Sequence, residues 1–178
     1  AALMLCSAAI TKGDRVGLMV FDEAVRLYLP PRTGVAQSRR VVDALCDVHA
    51  ELIEPDYGAA FAYLSRRSRR RSLTVLFTDL VDSAASEALL AGVASLRPHH
   101  LPMLVSIRDQ SLERATTDPV VDAAGVYRRA VAEEVLEDRE RALARLRARG
   151  AVVVDSAPEQ LSVMTVNKYL LLKAENRL

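Results

Sequence analysis

Tryptophan is absent, and tyrosine and phenylalanine together make up only 4% of the 178 residues, so Ala, Leu and Val must build most of any core. Cysteine is almost as scarce. Cys6 and Cys46 lie far apart with no CxxC partner, which excludes zinc ribbons and disulfide frameworks. Each is expected to be a small buried apolar residue in a reducing compartment. An excess of charge of one sign is missing too: 24 basic residues face 23 acidic ones, for a net charge of +1. That balance excludes a globally basic nucleic-acid binder and an acidic tail protein, and no nucleic-acid partner is expected. No uncharged run approaches the ~20 residues needed to cross a bilayer, so no membrane contact is expected of these residues. What remains is 51% hydrophobic and 26% charged residues, the balance of a soluble globular chain about one domain long.

The opening AALMLCSAAITKGD is apolar and small, with helical spacing but no basic n-region. It reads as the last turns of a helix from a longer protein, stopped by Gly13. RVGLMVF (15–21) and VRLYL (25–29) read as the strands of a hairpin across the polar DEA turn, ended by Pro30 and Pro31. Val41, Val42, Leu45 and Val48 predict a helical stripe over 35–50. Pro55 and Asp56 open a second helix, with Tyr57, Ala60, Phe61 and Leu64 inward. SLTVLFTDL (72–80) is a continuous apolar run, the pattern of a strand buried on both faces. Helix 83–96, strand 101–107, a helical stretch over 119–149 capped by Gly150, strand 151–154 and a helix from Pro158 to about 176 complete the chain. The alternation predicts an α/β fold, a doubly wound and mostly parallel sheet with an antiparallel edge hairpin.

In such sheets ligands sit beyond the carboxyl ends of the strands. Asp79 falls there, after VLFT, and fits either a hard divalent cation or a cap on the following helix, with capping the plainer reading. Asp82 and Ser83 read as ordinary N-caps. His49, His99 and His100 lack metal-ligand spacing and are expected to be structural. Ser7, Ser65 and Ser106 lack a nucleophile elbow, and no phosphate-cradling glycine loop exists. RRSRRR (66–71) suits phosphate or an acidic partner, but a solvated helix end explains it more simply. The charged stretch 132–150 reads as an exposed helix face. The residues by themselves present no catalytic apparatus.

GDRVGLMVFDEAVRLYLPP (13–31), RRSLTVLFTDLVD (70–82), HHLPMLVSIRD (99–109) and LRARGAVVVDSAPEQLSVMTVNKYLLLKA (146–174) resemble a bacterial von Willebrand factor A-like family, domain of unknown function fifty-eight. The resemblance covers nearly the whole chain in order, as a single domain over 1–178 that is N-terminally incomplete. It implies a sheet of order 3-2-1-4-5-6 and a metal-ion-dependent adhesion site at its top edge. Asp79 matches the Asp of that site after the fourth strand. The DxSxS loop is absent, and the Thr position falls at Pro55 beside Asp56, so no bound metal and no other cofactor are expected unless a missing N-terminal part completes the site.

The resemblance further implies that a first strand would lie between RVGLMVF and LTVLFTD. Its absence would leave a slot about twice the ~4.8 Å strand spacing, lined by unpaired groups costing roughly 1–3 kcal/mol each. The sheet is then expected to close up, or another chain to cover the edges, a homo-oligomer through exposed strand edges being one such arrangement. The functional expectation from the resemblance is a cytoplasmic, non-enzymatic protein-interaction module, an adaptor for a MoxR-type AAA+ ATPase in complex assembly or maturation. The parent is open to membrane anchoring upstream of Ala1. Asp56, Thr78, Asp79 and Asp82 form the expected interaction rim. The alternative is a metal-dependent hydrolase or phosphotransfer domain using Asp79.

Overall fold

The computed structural model describes residues 1–49, 53–78, 83–97 and 99–178. Among them are seven helices and five strands, in the order α1 (Ala2–Thr11), β1 (Val16–Phe21), β2 (Val25–Arg32), α2 (Val35–Cys46), α3 (Tyr57–Arg67), β3 (Leu73–Thr78), α4 (Ser83–Leu96), β4 (Leu101–Ile107), α5 (Gln110–Thr117), α6 (Ala123–Ala148), β5 (Val152–Ser156) and α7 (Pro158–Ala174). The α/β class holds, with parallel strands joined by helices. The hairpin is a two-stranded sheet of its own, however, and β3-β4-β5 form a separate parallel sheet in that order. The antiparallel ladder completes itself locally through its turn, whereas the parallel ladder needs its helical crossovers. The residues gather into two compact units, one of 1–71 with 162–178, the other of 72–161.

In the first unit, α1 ends as its sequence demands. Gly13 takes φ +80°, a backbone conformation that side chains resist, so its N–H reaches Ile10 O at 2.9 Å and that of Asp14 reaches Ala9 O at 2.9 Å. Strand β2 runs through Pro30 and Pro31 to Arg32, instead of stopping at Leu29 as expected. A register shift between Val16 and Leu18 lets it pass: a Cβ on Gly17 would lie 2.9 Å from Leu29 O and 3.1 Å from the Pro31 ring. The side-chain amide of buried Gln37 donates to Val16 O (2.8 Å) and Pro30 O (3.1 Å), tying α2 to both strands. Helix α2 ends at Cys46, four residues short of the expected limit. Val41 is its buried contact, while Val42 and Val48 are exposed. Cys46 is exposed and Cys6 half-buried, so the expectation of two buried thiols fails; burial pushes the Cys6 thiol up. Tyr57, Ala60 and Phe61 are buried as expected, with Tyr57 edge-on to Phe21 at 5.8 Å.

The remainder of α7 completes this unit. Tyr169, buried, donates its hydroxyl to Asp14, and Lys173 Nζ lies 2.6 Å from the other Asp14 oxygen. Asn176, at φ 55°, takes the left-handed position that stops the helix, two residues before the expected end.

In the second unit β4 is central and buried from Pro102 to Ser106. Leu89, Leu90, Val93 and Leu96 of α4, Leu143 and Leu146 of α6, and Val152 and Val154 of β5 supply further core. The stretch expected to be one helix over 119–149 begins only at Ala123, capped by the Asp122 carboxylate. A separate helix, α5, precedes it. Gly150, at φ +86°, ends α6 with the same pair of bonds as Gly13, to Arg147 O (2.9 Å) and Leu146 O (3.1 Å).

Strand β3 departs most from its pattern. Its sequence is that of a strand buried on both faces, yet it lies at the sheet edge, five of its residues half-buried and Phe77 39% exposed.

Candidate functional site at the carboxyl ends of the parallel strands

Unbroken parallel register carries three side chains to one level. Thr78 of β3 is opposite Ser106 of β4, and Ser106 is opposite Asp155 of β5. Strand side chains alternate between faces, so all three lie on one face of the sheet. Arg139 of α6 meets Ser106 and Asp155 there. One of its terminal nitrogens donates to Ser106 Oγ (2.7 Å), to Ile107 O (2.9 Å) and to Asp155 Oδ1 (2.7 Å). The other donates to Asp155 Oδ2 at 3.2 Å. The Arg139 and Asp155 side chains are each only 8% exposed, so this is a buried, two-pronged ion pair supported by the further bonds to Ser106 Oγ and Ile107 O.

A second arginine lies outside the first. Arg108, just past β4, approaches Asp155 at 3.4 Å and Glu113 at 3.5 Å, and its backbone N–H donates to Ser156 O at 2.9 Å. Both ion-pair distances are long and the side chain is 43% exposed, leaving the guanidinium accessible from solvent. Asp109 caps α5 by accepting from Ser111 N at 2.7 Å; hydrogen bonds from the Ser111 side chain and backbone hold its carboxyl below the usual range. Gln110 reaches Glu159 of α7 at 3.1 Å. Ile107 through Gln110, with Pro158 and Glu159, line an open depression of about 320 Å³.

Of the residues expected at the rim, Thr78 is at this level of the second unit. Asp56 belongs to the first unit, where its carboxylate caps α3 by accepting from Ala59 N at 2.8 Å and its N–H donates to Asp22 O at 2.9 Å. Asp22 in turn is gripped by Arg26, and that hydrogen bond, before any other cause, holds its carboxyl low. Asp79 and Asp82 lie outside the described residues.

His100 fits its structural reading, buried with Nδ1 at 2.9 Å from Ser72 Oγ. Arg66 and Arg67 occupy the last turn of α3, as a solvated helix end would have them. Among the described residues no three His, Cys, Asp or Glu side chains cluster to hold a metal ion, and no helix is long and apolar enough to cross a membrane.

Arg139, Asp155 and Arg108 were not among the residues singled out from the sequence, although two signals mark the buried pair. Arg139 lies on the stripe that buries Ala132, Ala142, Leu143 and Leu146, where an exposed arginine would break the helical period. Asp155 directly follows the apolar run AVVV, where an unpaired charge would be costly. A buried cation and a buried anion in neighbouring elements point to each other.

No curated protein and no solved structure matches the chain. A family model does match, over residues 1–122. The chain therefore belongs to the family described as Protein of unknown function DUF58.

Proposed function

We propose that this chain is a non-enzymatic protein-interaction module, one von Willebrand factor A-like domain over residues 1–178. In this reading it serves in the cytoplasm as an adaptor for a MoxR-type AAA+ ATPase in complex assembly or maturation. Its contact residues in this reading are Asp56, Thr78, Asp79 and Asp82, of which Thr78 stands at the carboxyl ends of the parallel strands.

The state of the polar groups at the strand ends carries this reading. Ser106, Arg139 and Asp155 satisfy one another in the interior, so none of them is a poised nucleophile or base. Exposed groups surround them: Arg108, Asp109, and Ile107 at 46% exposure. A rigid polar floor beneath an accessible mixed rim suits recognition, since contact groups placed on fixed elements lose little freedom on binding. The resemblance of 13–31, 70–82, 99–109 and 146–174 to von Willebrand factor A-like sequences supports the choice of partner class.

The test is retention of an ATPase by the intact parent protein. Parent and its Asp79→Ala variant, immobilised in parallel, are exposed to cell extract and the bound AAA+ proteins identified by mass. The reading expects a MoxR-type ATPase on the parent and a marked loss on the variant. Equal retention on both, or none on either, rejects it.

A further inference from the structure

The segments that lead into the parallel strands differ in charge from those that carry the chain out of them. RRSRRRS (66–72), AGVASLRPHHL (91–101) and RALARLRARGA (141–151) hold ten arginines and no acidic residue. SIRDQSLERATTD (106–118) and VDSAPEQ (154–160), which lead out of β4 and β5, hold five acids and two arginines. Within the unit of 72–161, parallel pairing sets Leu101 of β4 beside Leu73 of β3 and Met103 beside Val152 of β5. The turns that end α4 and α6 therefore stand together at the amino end of this sheet. That end is basic.

Three arginines make up the surface there: Arg97 just past α4, Arg147 in the last turn of α6, and Arg149 at the C-cap of that helix. All three are exposed. Arg97 lies across the turn at Gly150, its guanidinium 2.8 Å from where a Cβ on that glycine would stand, and Arg149 Nη1 donates to Leu90 O of α4 at 3.2 Å. The two cations thus cross between neighbouring helix ends. Arg145 pairs with Glu87 at 2.6 Å, but among the described residues no carboxylate lies within ion-pair reach of the other three. Cations do complement helix C-termini, yet each end carries only about half a negative charge. Two ends offset about one of the three positive charges and leave roughly two in excess.

We infer that this basic end binds the headgroups of an anionic phospholipid surface. The excess charge calls for an anion, and the surroundings choose its form. No Phe, Tyr or Trp occurs in 91–101 or 141–151, so the bases of a nucleic acid would find nothing to stack on. Leu96 and Leu146 are buried, so an acidic peptide would find no apolar anchor between the arginines. A long polyanion would also run on from the arginines over the acids of a chain whose net charge is only +1. A lipid plane meets one end alone, attracts arginines across about a Debye length, and needs no membrane-crossing segment. The carboxyl ends of the strands then face away from the lipid. The inference stands independently of the adaptor reading, because it uses the opposite end of the sheet.

Vesicle sedimentation tests it with the whole chain, phosphatidylserine vesicles being set against phosphatidylcholine vesicles. Binding is expected to the first and not to the second, and should be lost as salt rises from about 0.05 M to about 0.5 M. Each arginine near such a surface is worth about fivefold in affinity. Arg97→Gln with Arg147→Gln and Arg149→Gln should therefore weaken binding on the order of a hundredfold. Lysine at the same three positions should keep it, since a lipid surface reads charge and not the fork geometry of arginine. Arg114→Gln with Arg128→Gln and Arg129→Gln removes the same charge from α5 and the start of α6 and should leave binding nearly unchanged. If circular dichroism shows that loss of the Arg149 bond to Leu90 unfolds the first variant, Arg147→Glu alone takes its place, with an expected loss of about twenty-five-fold. No retention on phosphatidylserine, equal retention on both lipids, or equal losses in the two glutamine variants overturns the inference. So does a lysine variant as weak as the glutamine one, or tighter binding to a short DNA duplex than to phosphatidylserine.

Discussion

Arg139 grips both carboxylate oxygens of Asp155, at 2.7 and 3.2 Å, from a helix whose remaining charged residues face outward. This pair fixes α6 against the carboxyl ends of β4 and β5, and with it the floor of the candidate rim. Breaking such a pair by removing one partner strands the other charge in the interior, which typically costs about 3–5 kcal/mol.

Asp155→Ala is therefore expected to lower the free energy of unfolding by about 3–5 kcal/mol in urea denaturation. Arg108→Ala, which removes only the long outer contacts to Asp155 and Glu113 at 43% exposure, should cost less than about 1 kcal/mol. The double variant Arg139→Met with Asp155→Leu should recover most of the loss by replacing the pair with apolar contact. Equal effects of Asp155→Ala and Arg108→Ala would show that the buried pair has no special weight.

Asp14 links pH to stability. Burial works to raise its carboxyl, but hydrogen bonds from Lys173 and Tyr169 and the Lys173 charge outweigh that and hold it below the ordinary range. A carboxyl depressed in the folded state contributes its full stability above the unfolded value of about 3.9 and loses it as pH falls through the folded value. The loss is thus expected below about pH 4 and should vanish in Asp14→Asn. Because Asp14 is 36% exposed, the effect is small, under about 1 kcal/mol. Tyr169 moves the other way: burial, then the Asp14 hydrogen bond and charge, push its hydroxyl up beyond the usual tyrosine range. It should be the last of the five tyrosines to ionise in an ultraviolet alkaline titration, and Asp14→Asn should bring it forward.

Gly150→Ala and Gly13→Ala both force a side chain into positive φ, at a cost of about 1 kcal/mol or slightly more. The two changes should cost about the same: the atoms 2.8 Å from a Cβ at Gly150 belong to the guanidinium of exposed Arg97, which can swing aside, and nothing lies within 4 Å of one at Gly13. Melting temperatures of the two variants check this directly.

The sequence made the alternation of strands and helices legible because burial period and length agree in most elements: helix 83–96 and strand 101–107 have the expected limits. It was less informative where long-range pairing decides. The prolines of β2 read as a stop, and only the bulge they form opposite Gly17 shows why they do not act as one. The run in β3 reads as doubly buried because composition reports apolarity and not the number of neighbouring strands. Helix α5 was missed since QSLERATT is short and ends in β-branched threonines, although Asp109 capping Ser111 with Glu113 in the first turn marks its start. At the candidate site, Thr78 followed from strand position, while Arg139 and Asp155 required reading two isolated charges in apolar contexts as partners.

Magnesium titration bears on the alternative reading of the rim. In the von Willebrand factor A-like reading, Asp79 alone among residues 1–178 matches an oxygen ligand of the adhesion-type site, position 55 being proline. Calorimetry is expected to give no binding in the micromolar range. Micromolar affinity abolished by Asp79→Ala would favour metal-dependent chemistry.

The most direct test of the adaptor account is the affinity of the intact parent for a purified MoxR-type AAA+ ATPase, measured by biolayer interferometry. The account predicts saturable binding that Asp79→Ala and Arg108→Glu each weaken about tenfold or more, some 1.4 kcal/mol. Arg66→Ala, at the end of α3, should leave the affinity unchanged. Absence of binding, or binding indifferent to both rim variants, would contradict it.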